Sequence, residues 1–183
     1  EVELYPYAQI TRNKVPDDIQ NFYISHEGFI GVFDDELKED DYDDIKENKI
    51  VRESNKGWLG ITDKYWMTAL VPSEGQNFKS TFLFKNGFKA NYIVNNPKII
   101  KPASSNSNDL RLFVAAKEVE TIDAYAADQN IEKFDLVIDW GWFYFFTKPL
   151  FFVIDYFFKL TGNFGLAIVI ITALVRLIFF PRC

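Results

Sequence analysis

Residues 164–180 read FGLAIVIITALVRLIFF, and Pro181 closes the run. Apart from Gly165 and Thr172, Arg176 is the only interruption in an otherwise apolar stretch. At about 1.5 Å per residue a helix of this length reaches roughly 25 Å, the short end of what crosses a hydrocarbon core. The stretch is apolar on every side, which argues for a membrane segment over a surface helix of a soluble protein. An arginine there costs about 2.5–3.5 kcal/mol on insertion scales. Its side chain therefore faces a partner, a bundle interior or a water-filled cavity, or it snorkels to the nearer headgroups and serves only as an anchor. Both readings stay open on the residues alone, and the first makes Arg176 the leading candidate functional residue.

Immediately upstream, residues 140–160 are nearly all Trp, Phe, Tyr, Leu, Ile or Val. Their charged members, Lys148, Asp155 and Lys159, recur at spacings of seven and four and share one side of a helix. This pattern predicts an amphipathic interfacial helix over 140–161, with Trp142, Tyr144 and Tyr156 at headgroup level and Lys148 and Lys159 beside them as anchors. Lys148-Pro149 predicts a break, with Pro149 in the first turn of the main helix. Gly162 suits a left-handed helix end and Asn163 a helix cap, which makes a tight corner before a transmembrane helix over 163–181.

Charge divides the chain at the same place. From Trp140 onward Lys148, Lys159, Arg176 and Arg182 oppose only Asp155, a balance of +3; the whole chain carries −6, which leaves −9 on residues 1–139. An acidic first part and a membrane-associated second part follow. Nucleic acid is not an expected partner, because binding it rests on neutralising phosphates with Lys and Arg. The single cysteine, Cys183, excludes an intrachain disulfide. Glu1 is no initiator and Pro181 is followed by only two residues, so the chain is read as an internal piece of a longer protein.

The first hundred residues read as β structure. Short aromatic and β-branched runs at 22–24, 29–33, 58–61, 81–84 and 92–94 alternate with Gly, Asn, Asp and Pro, and Asn86-Gly87 marks a hairpin. Nine of the fourteen residues at 34–47 are acidic, but they miss the EF-hand spacing and read as a solvated loop with a short helix at 42–47. Residues 101–109 form a polar linker, 110–116 a strand, 119–129 a helix and 134–138 a last apolar run. Mainly β is the fold class, with several antiparallel strands the economical reading.

Catalytic chemistry is absent from the pattern. His26, the only histidine, precedes Glu27 in a turn-like setting and leaves no histidine for a metal cluster. No phosphate loop is present, and neither a metal nor a cofactor is expected. Trp58 and Trp66 flank Asp63-Lys64-Tyr65 and offer a stacking platform for sugar or peptide, with the β core as the plainer use of such rings. A membrane-tethered β-sandwich binding module for a sugar or peptide is therefore the alternative function, periplasmic where the compartment is taken from the family resemblance.

Three blocks carry a family resemblance. GWLGITDKYWMTALVP at 57–72, RLFVAAKE at 111–118 with Phe134-Asp135-Leu136 and Asp139-Trp140-Gly141-Trp142, and the run from Thr147-Lys148-Pro149-Leu150 through Gly162-Asn163-Phe164-Gly165 to Arg176 and Pro181 resemble, in order, the YidC family of membrane protein insertases. The resemblance implies a partial periplasmic β-supersandwich over 1–139, like that of galactose mutarotases and incomplete at its N-terminal side. It further implies the family's peripheral helix and the start of a multi-helix membrane core enclosing a hydrophilic groove. Arg176 matches the groove arginine, which would attract acidic or polar segments of an incoming protein without any covalent step. A non-enzymatic insertase and chaperone of the bacterial inner membrane is implied, multi-pass in the full protein. Its partners would be nascent inner-membrane proteins, the Sec translocon with its accessory proteins, and the lipid bilayer. Without the remaining helices this stretch alone is not expected to insert proteins.

Overall fold

The computed structural model describes residues 1–16, 19, 26–141 and 143–180. They form two compact units, Glu1–Asp139 and Trp140–Cys183. The expected strand at 22–24 and the candidate anchor Trp142 lie outside the described residues.

Unit one is built from antiparallel strands in three sheets. The central sheet has five, in the order β11 (Leu110–Ala116), β7 (Trp66–Pro72), β6 (Gly57–Thr62), β3 (Gly28–Phe33) and β4 (Glu36–Asp40). A second sheet orders β2 (Tyr7–Arg12), β9 (Phe88–Val94), β8 (Phe78–Phe84) and β5 (Ile50–Ser54), and a small ribbon pairs β1 (Val2–Leu4) with β10 (Lys98–Ile100). Helix α1 (Tyr42–Glu47) joins β4 to β5; α2 (Val119–Asp128) and a 3-10 turn (Phe134–Val137) follow β11. The expected hairpin is the β8–β9 connection, with Asn86 at φ 55° and Gly87 at φ 124°.

The central sheet is covered on both faces, and strand alternation assigns each side chain to one of them. Phe29, Phe33, Leu59, Ile61 and Leu70 face the second sheet, where they meet Phe78, Phe82, Phe88, Tyr92 and the α1 residues Tyr42 and Ile45. Ile30, Val32, Trp58, Met67, Ala69, Val71 and Phe113 point the other way, onto Ile122 of α2, Ile131, Phe134 and Val137. A sandwich with a helical layer on its outer face results. All six residues of β3, GFIGVF, are buried, which explains its continuous apolar run. At Gly60, opposite Ala69, a Cβ would lie 2.2 Å from the Thr68 carbonyl oxygen, so the close approach of β6 to β7 requires glycine.

Two arginine–aspartate pairs join the sheets. Arg52 on β5 donates from both terminal nitrogens to Asp40 on β4, at 2.6 and 2.8 Å, and its guanidinium lies over Phe33 and Phe82. Arg12 on β2 pairs with Asp63, which follows β6, and lies 5.9 Å from the centre of the Tyr42 ring. Burial works most strongly against the Arg12 charge, but the hydrogen bonds and charges of Asp63 and Tyr42 together outweigh it and raise the guanidinium above its ordinary value; burial also pushes the Tyr42 phenol well up.

The structure corrects part of the reading at 34–47. Residues 36–40 are strand β4, paired with β3: at its end Asp40 is buried against Arg52, while Glu36 and Glu39 are exposed. The short helix at 42–47 forms as expected. The edge strand β11 exposes Leu112 and Val114 on the same face as Leu70, at the side of the sheet away from β4.

Arg52→Ala is expected to lower the stability of unit one by about 3 kcal/mol in denaturant unfolding, because Asp40 is left buried without its partner; the paired change Asp40→Asn with Arg52→Gln should recover part of it. Gly60→Ala should cost about 2–4 kcal/mol by forcing β6 from β7, again measured by unfolding.

Candidate functional site

The candidate residues gather in unit two. Helix α3 (Tyr144–Thr161) has no buried residue, and Phe145, Phe146, Phe152, Val153, Tyr156 and Leu160 are all exposed. So much apolar surface on one helix demands an apolar environment, lipid or protein. Helix α3 begins five residues before Pro149, upstream of the expected break. The missing proline N–H forfeits one bond in its second turn, while the start is held by bonds from the Phe146 and Thr147 amides to the Phe143 carbonyl and from the Thr147 hydroxyl to the Trp140 carbonyl at 2.8 Å.

Of the expected anchors, Tyr144 and Lys148 come together: the Lys148 ammonium lies 5.8 Å from the ring centres of both Trp140 and Tyr144. Lys159 pairs with Asp155 at 2.8 Å one turn away, which neutralises the polar side of the helix toward its end. Tyr156 is 64% exposed. Gly162 ends α3 at φ 66° and the Asn163 side chain accepts from the Leu166 amide, so the corner is the one the sequence predicts.

Helix α4 (Phe164–Phe179) packs on α3 through Ala167 and Ile171, its only buried residues. Phe158 and Phe164 meet edge to face across the corner. Arg176 is exposed. At about 100° per residue it lies roughly 180° around the helix from Ala167 and roughly 140° from Ile171, on the side away from α3. Thr172, one turn earlier on that side, returns its hydroxyl to the Ile168 carbonyl. No carboxylate among the described residues pairs with Arg176. The arginine is thus presented outward from the helix pair, together with a threonine whose polar group is already satisfied.

Among the described residues no helix is long and apolar enough to cross a membrane, so a transmembrane helix over 163–181 is not shown. The physical reason is length: α4 has 16 residues, about 24 Å, against a hydrocarbon core of about 30 Å.

The stacking platform also fails. Trp58 is fully buried on the helix-covered face of the central sheet, edge-on to Phe134, whereas Trp66 is 60% exposed and projects from the opposite face. Their strands are neighbours, but their alternation differs. His26 sits at the start of β3, with Nε2 2.9 Å from the Phe29 carbonyl and Nδ1 3.6 Å from Asp41, a structural setting with no nucleophile beside it. Among the described residues no three His, Cys, Asp or Glu side chains gather to hold a metal ion.

Comparison with known proteins agrees with the β unit and its exit into unit two. The family model of the YidC periplasmic domain matches residues 1–153. The protein named Membrane protein insertase YidC from Pelagibacter ubique (strain HTCC1062) is 54% identical over 177 residues, covering 97% of this chain and 32% of that protein. Its namesake from Brucella suis biovar 1 is 41% identical over 186 residues, covering 98% and 30%, and that from Sinorhizobium medicae 42% over 187, covering 98% and 31%. The chain spans about a third of the length of these curated relatives. Because the family match takes in 153 of the 183 residues, from the first strand to the middle of α3, the chain belongs to the YidC family by its periplasmic domain.

Proposed function

We propose that this chain is the part of a membrane protein insertase in which a periplasmic β-sandwich domain, residues 1–139, passes into the membrane-embedded core. In this reading the β unit belongs to a larger β-supersandwich on the periplasmic side of a bacterial inner membrane. Helix α3 lies along the interface, anchored by Trp142, Tyr144, Lys148, Tyr156 and Lys159. Helix α4 enters the hydrocarbon core as the first piece of a multi-pass bundle. At about 24 Å it matches a locally thinned bilayer, a modest mismatch cost.

The observation that carries the proposal is Arg176, exposed on the side of α4 opposite its seam with α3. A charge there is costly against lipid and useful against a water-filled groove that further helices would enclose. In such a groove it supplies a positive potential in a region of low dielectric. That potential draws in the acidic or polar flank of an incoming segment and shortens its path through hydrocarbon. The work is electrostatic and involves no bond making, so the protein acts as an insertase and chaperone without being an enzyme. Nascent inner-membrane proteins are the substrates, taken alone or together with the Sec translocon. The relatives' name and their identity along the chain support the assignment.

In a bacterium depleted of its own insertase, a full-length family member carrying this segment should restore growth with Arg176 and fail with Arg176→Ala at equal protein level, while Arg176→Lys retains partial growth. Equal growth of all three would return Arg176 to a headgroup anchor. For the interfacial placement of α3, nitroxides at positions 156 and 169 in reconstituted protein should differ in depth, with 156 near the headgroups and 169 about 10 Å or more deeper. The same depth at both sites would sink the placement.

A further inference from the structure

The four-stranded sheet of the β unit turns one face into the sandwich, and among the described residues nothing buries the other. Alternation sends Ala8, Phe78, Ser80, Phe82, Ala90 and Tyr92 inward, so the residues between them point outward, and none of those is buried. Across this outer face the register sets Lys79 between Ile93 and Glu53, and Lys89 between Thr11 and Leu83. Ile50 pairs with Phe82, so Lys49, one residue earlier, falls beside Leu83, about 10 Å from Lys89 with one strand between them. Lys85 follows Leu83 by two residues and opens the hairpin turn. Lys49, Lys85 and Lys89 therefore gather at the hairpin end of the sheet.

These lysines are not engaged by the protein's own carboxylates. Among the described residues Lys49, Lys85 and Lys89 pair with none, and Lys79 reaches Glu53 only at 3.9 Å. Elsewhere on the unit Lys38, Lys46 and Lys56 each hold a carboxylate at 3.0 Å or less. Glu53 is the single carboxylate among the outward residues of the four strands. Even counting Glu47, which ends α1 two residues before Lys49, four lysines stand against two carboxylates, in a unit whose net charge is −9. Among the charges stand the exposed apolar side chains Tyr7, Val51 and Ile93.

We propose that this face docks on the surface of an anionic lipid bilayer. An anionic surface repels a unit of net charge −9 in most orientations, and the lysine-bearing face is the one on which attraction wins. Its side chains suit headgroups: ammonium groups for phosphates, the Asn91 amide and Thr81 hydroxyl for neighbouring ester oxygens, and Tyr7, Val51 and Ile93 for the edge of the acyl region. The proposal rests on the functional reading only in that the chain is held at a bilayer, where tethering raises the local concentration of headgroups. It involves neither Arg176 nor a groove.

The test uses the full chain, with Cys183→Ser, in nanodiscs of phosphatidylcholine alone or mixed with phosphatidylglycerol, each carrying a nickel-chelating lipid. Nitroxides are placed singly at position 81, in the middle of the face, at 124 on α2, and at 169. With phosphatidylglycerol present, headgroup nickel should relax position 81 more strongly than position 124. The difference should vanish in phosphatidylcholine and in 1 M salt, where the screening length is about 3 Å. Lys49→Gln, Lys85→Gln and Lys89→Gln should each lower the docked-to-undocked ratio about fivefold, with unchanged far-UV circular dichroism. Equal relaxation at 81 and 124, or docking indifferent to salt and to the three substitutions, would overturn the proposal. Binding of soluble polyglutamate at these lysines without approach of position 81 to phosphatidylglycerol would assign the face to an acidic protein and overturn it as well. Position 169 reports bilayer insertion separately: its exposure to aqueous nickel would fail the functional reading, whereas a remote 81 beside a shielded 169 fails the docking alone.

Discussion

The constraint on which the β unit depends is that the inner strands of its central sheet, β3, β6 and most of β7, have no solvent face. Every residue of β3 is buried, and β6 and β7 are buried along most of their length. Such a sheet needs a cover on each side, and the chain supplies two different ones: the four-stranded sheet, rich in phenylalanine, and the α2 layer with its 3-10 turn. Side chains alternate between the covers, so a one-residue slip of β6 would send Trp58 into the sandwich and Leu59 toward α2. Glycine at 60 brings β6 close enough to β7 for the register to hold, and Gly57, with φ 126°, lets β6 begin tight against the Val32 carbonyl.

Charge is handled consistently with that constraint. The unit is strongly acidic, yet the aspartates that turn inward are matched by arginines from the opposite sheet, Asp40 by Arg52 and Asp63 by Arg12. Each arginine also lies against aromatic rings, so its stem and planar head take part in the apolar packing. These pairs contribute alignment of the two sheets more than net stability, since desolvation offsets much of the attraction. Most of the other described carboxylates are exposed or half-exposed, and by sequence residues 1–139 carry a net charge of −9.

The second unit is organised by a different solvent. Its helices meet along a narrow seam of Ala167 and Ile171 and leave phenylalanine, leucine and isoleucine exposed on every other side. In water that surface would be a liability; in lipid or against further helices it is ordinary. The polar groups present are tied locally, Thr172 to its own helix, Lys159 to Asp155 and Lys148 over two rings. Arg176 is turned outward and pairs with no carboxylate among the described residues, whereas Lys159 has Asp155, and the functional reading rests on that difference.

Local signals carried much of this into the sequence. The hairpin at Asn86-Gly87, the strand at 110–116, the helix near 119–129 and the corner at Gly162-Asn163 follow from turn chemistry, alternation and capping, which act over a few residues. Arg176 stood out because a charge in an apolar run is conspicuous without any neighbour. What the sequence left open was decided by contacts distant along the chain. Strand β4 hid in an acidic run because Asp40 is acceptable inside only when Arg52, twelve residues on, closes over it. Strands β2 and β5 carry polar outer faces, and their pairing with β9 and β8 is a long-range event. Trp58 and Trp66 looked like one platform in the sequence; the pleat of adjacent strands sends them to opposite faces. Trp58 and Arg111, fifty-three residues apart, fall in one row only because β6, β7 and β11 lie side by side, and periodicity cannot report which strands become neighbours.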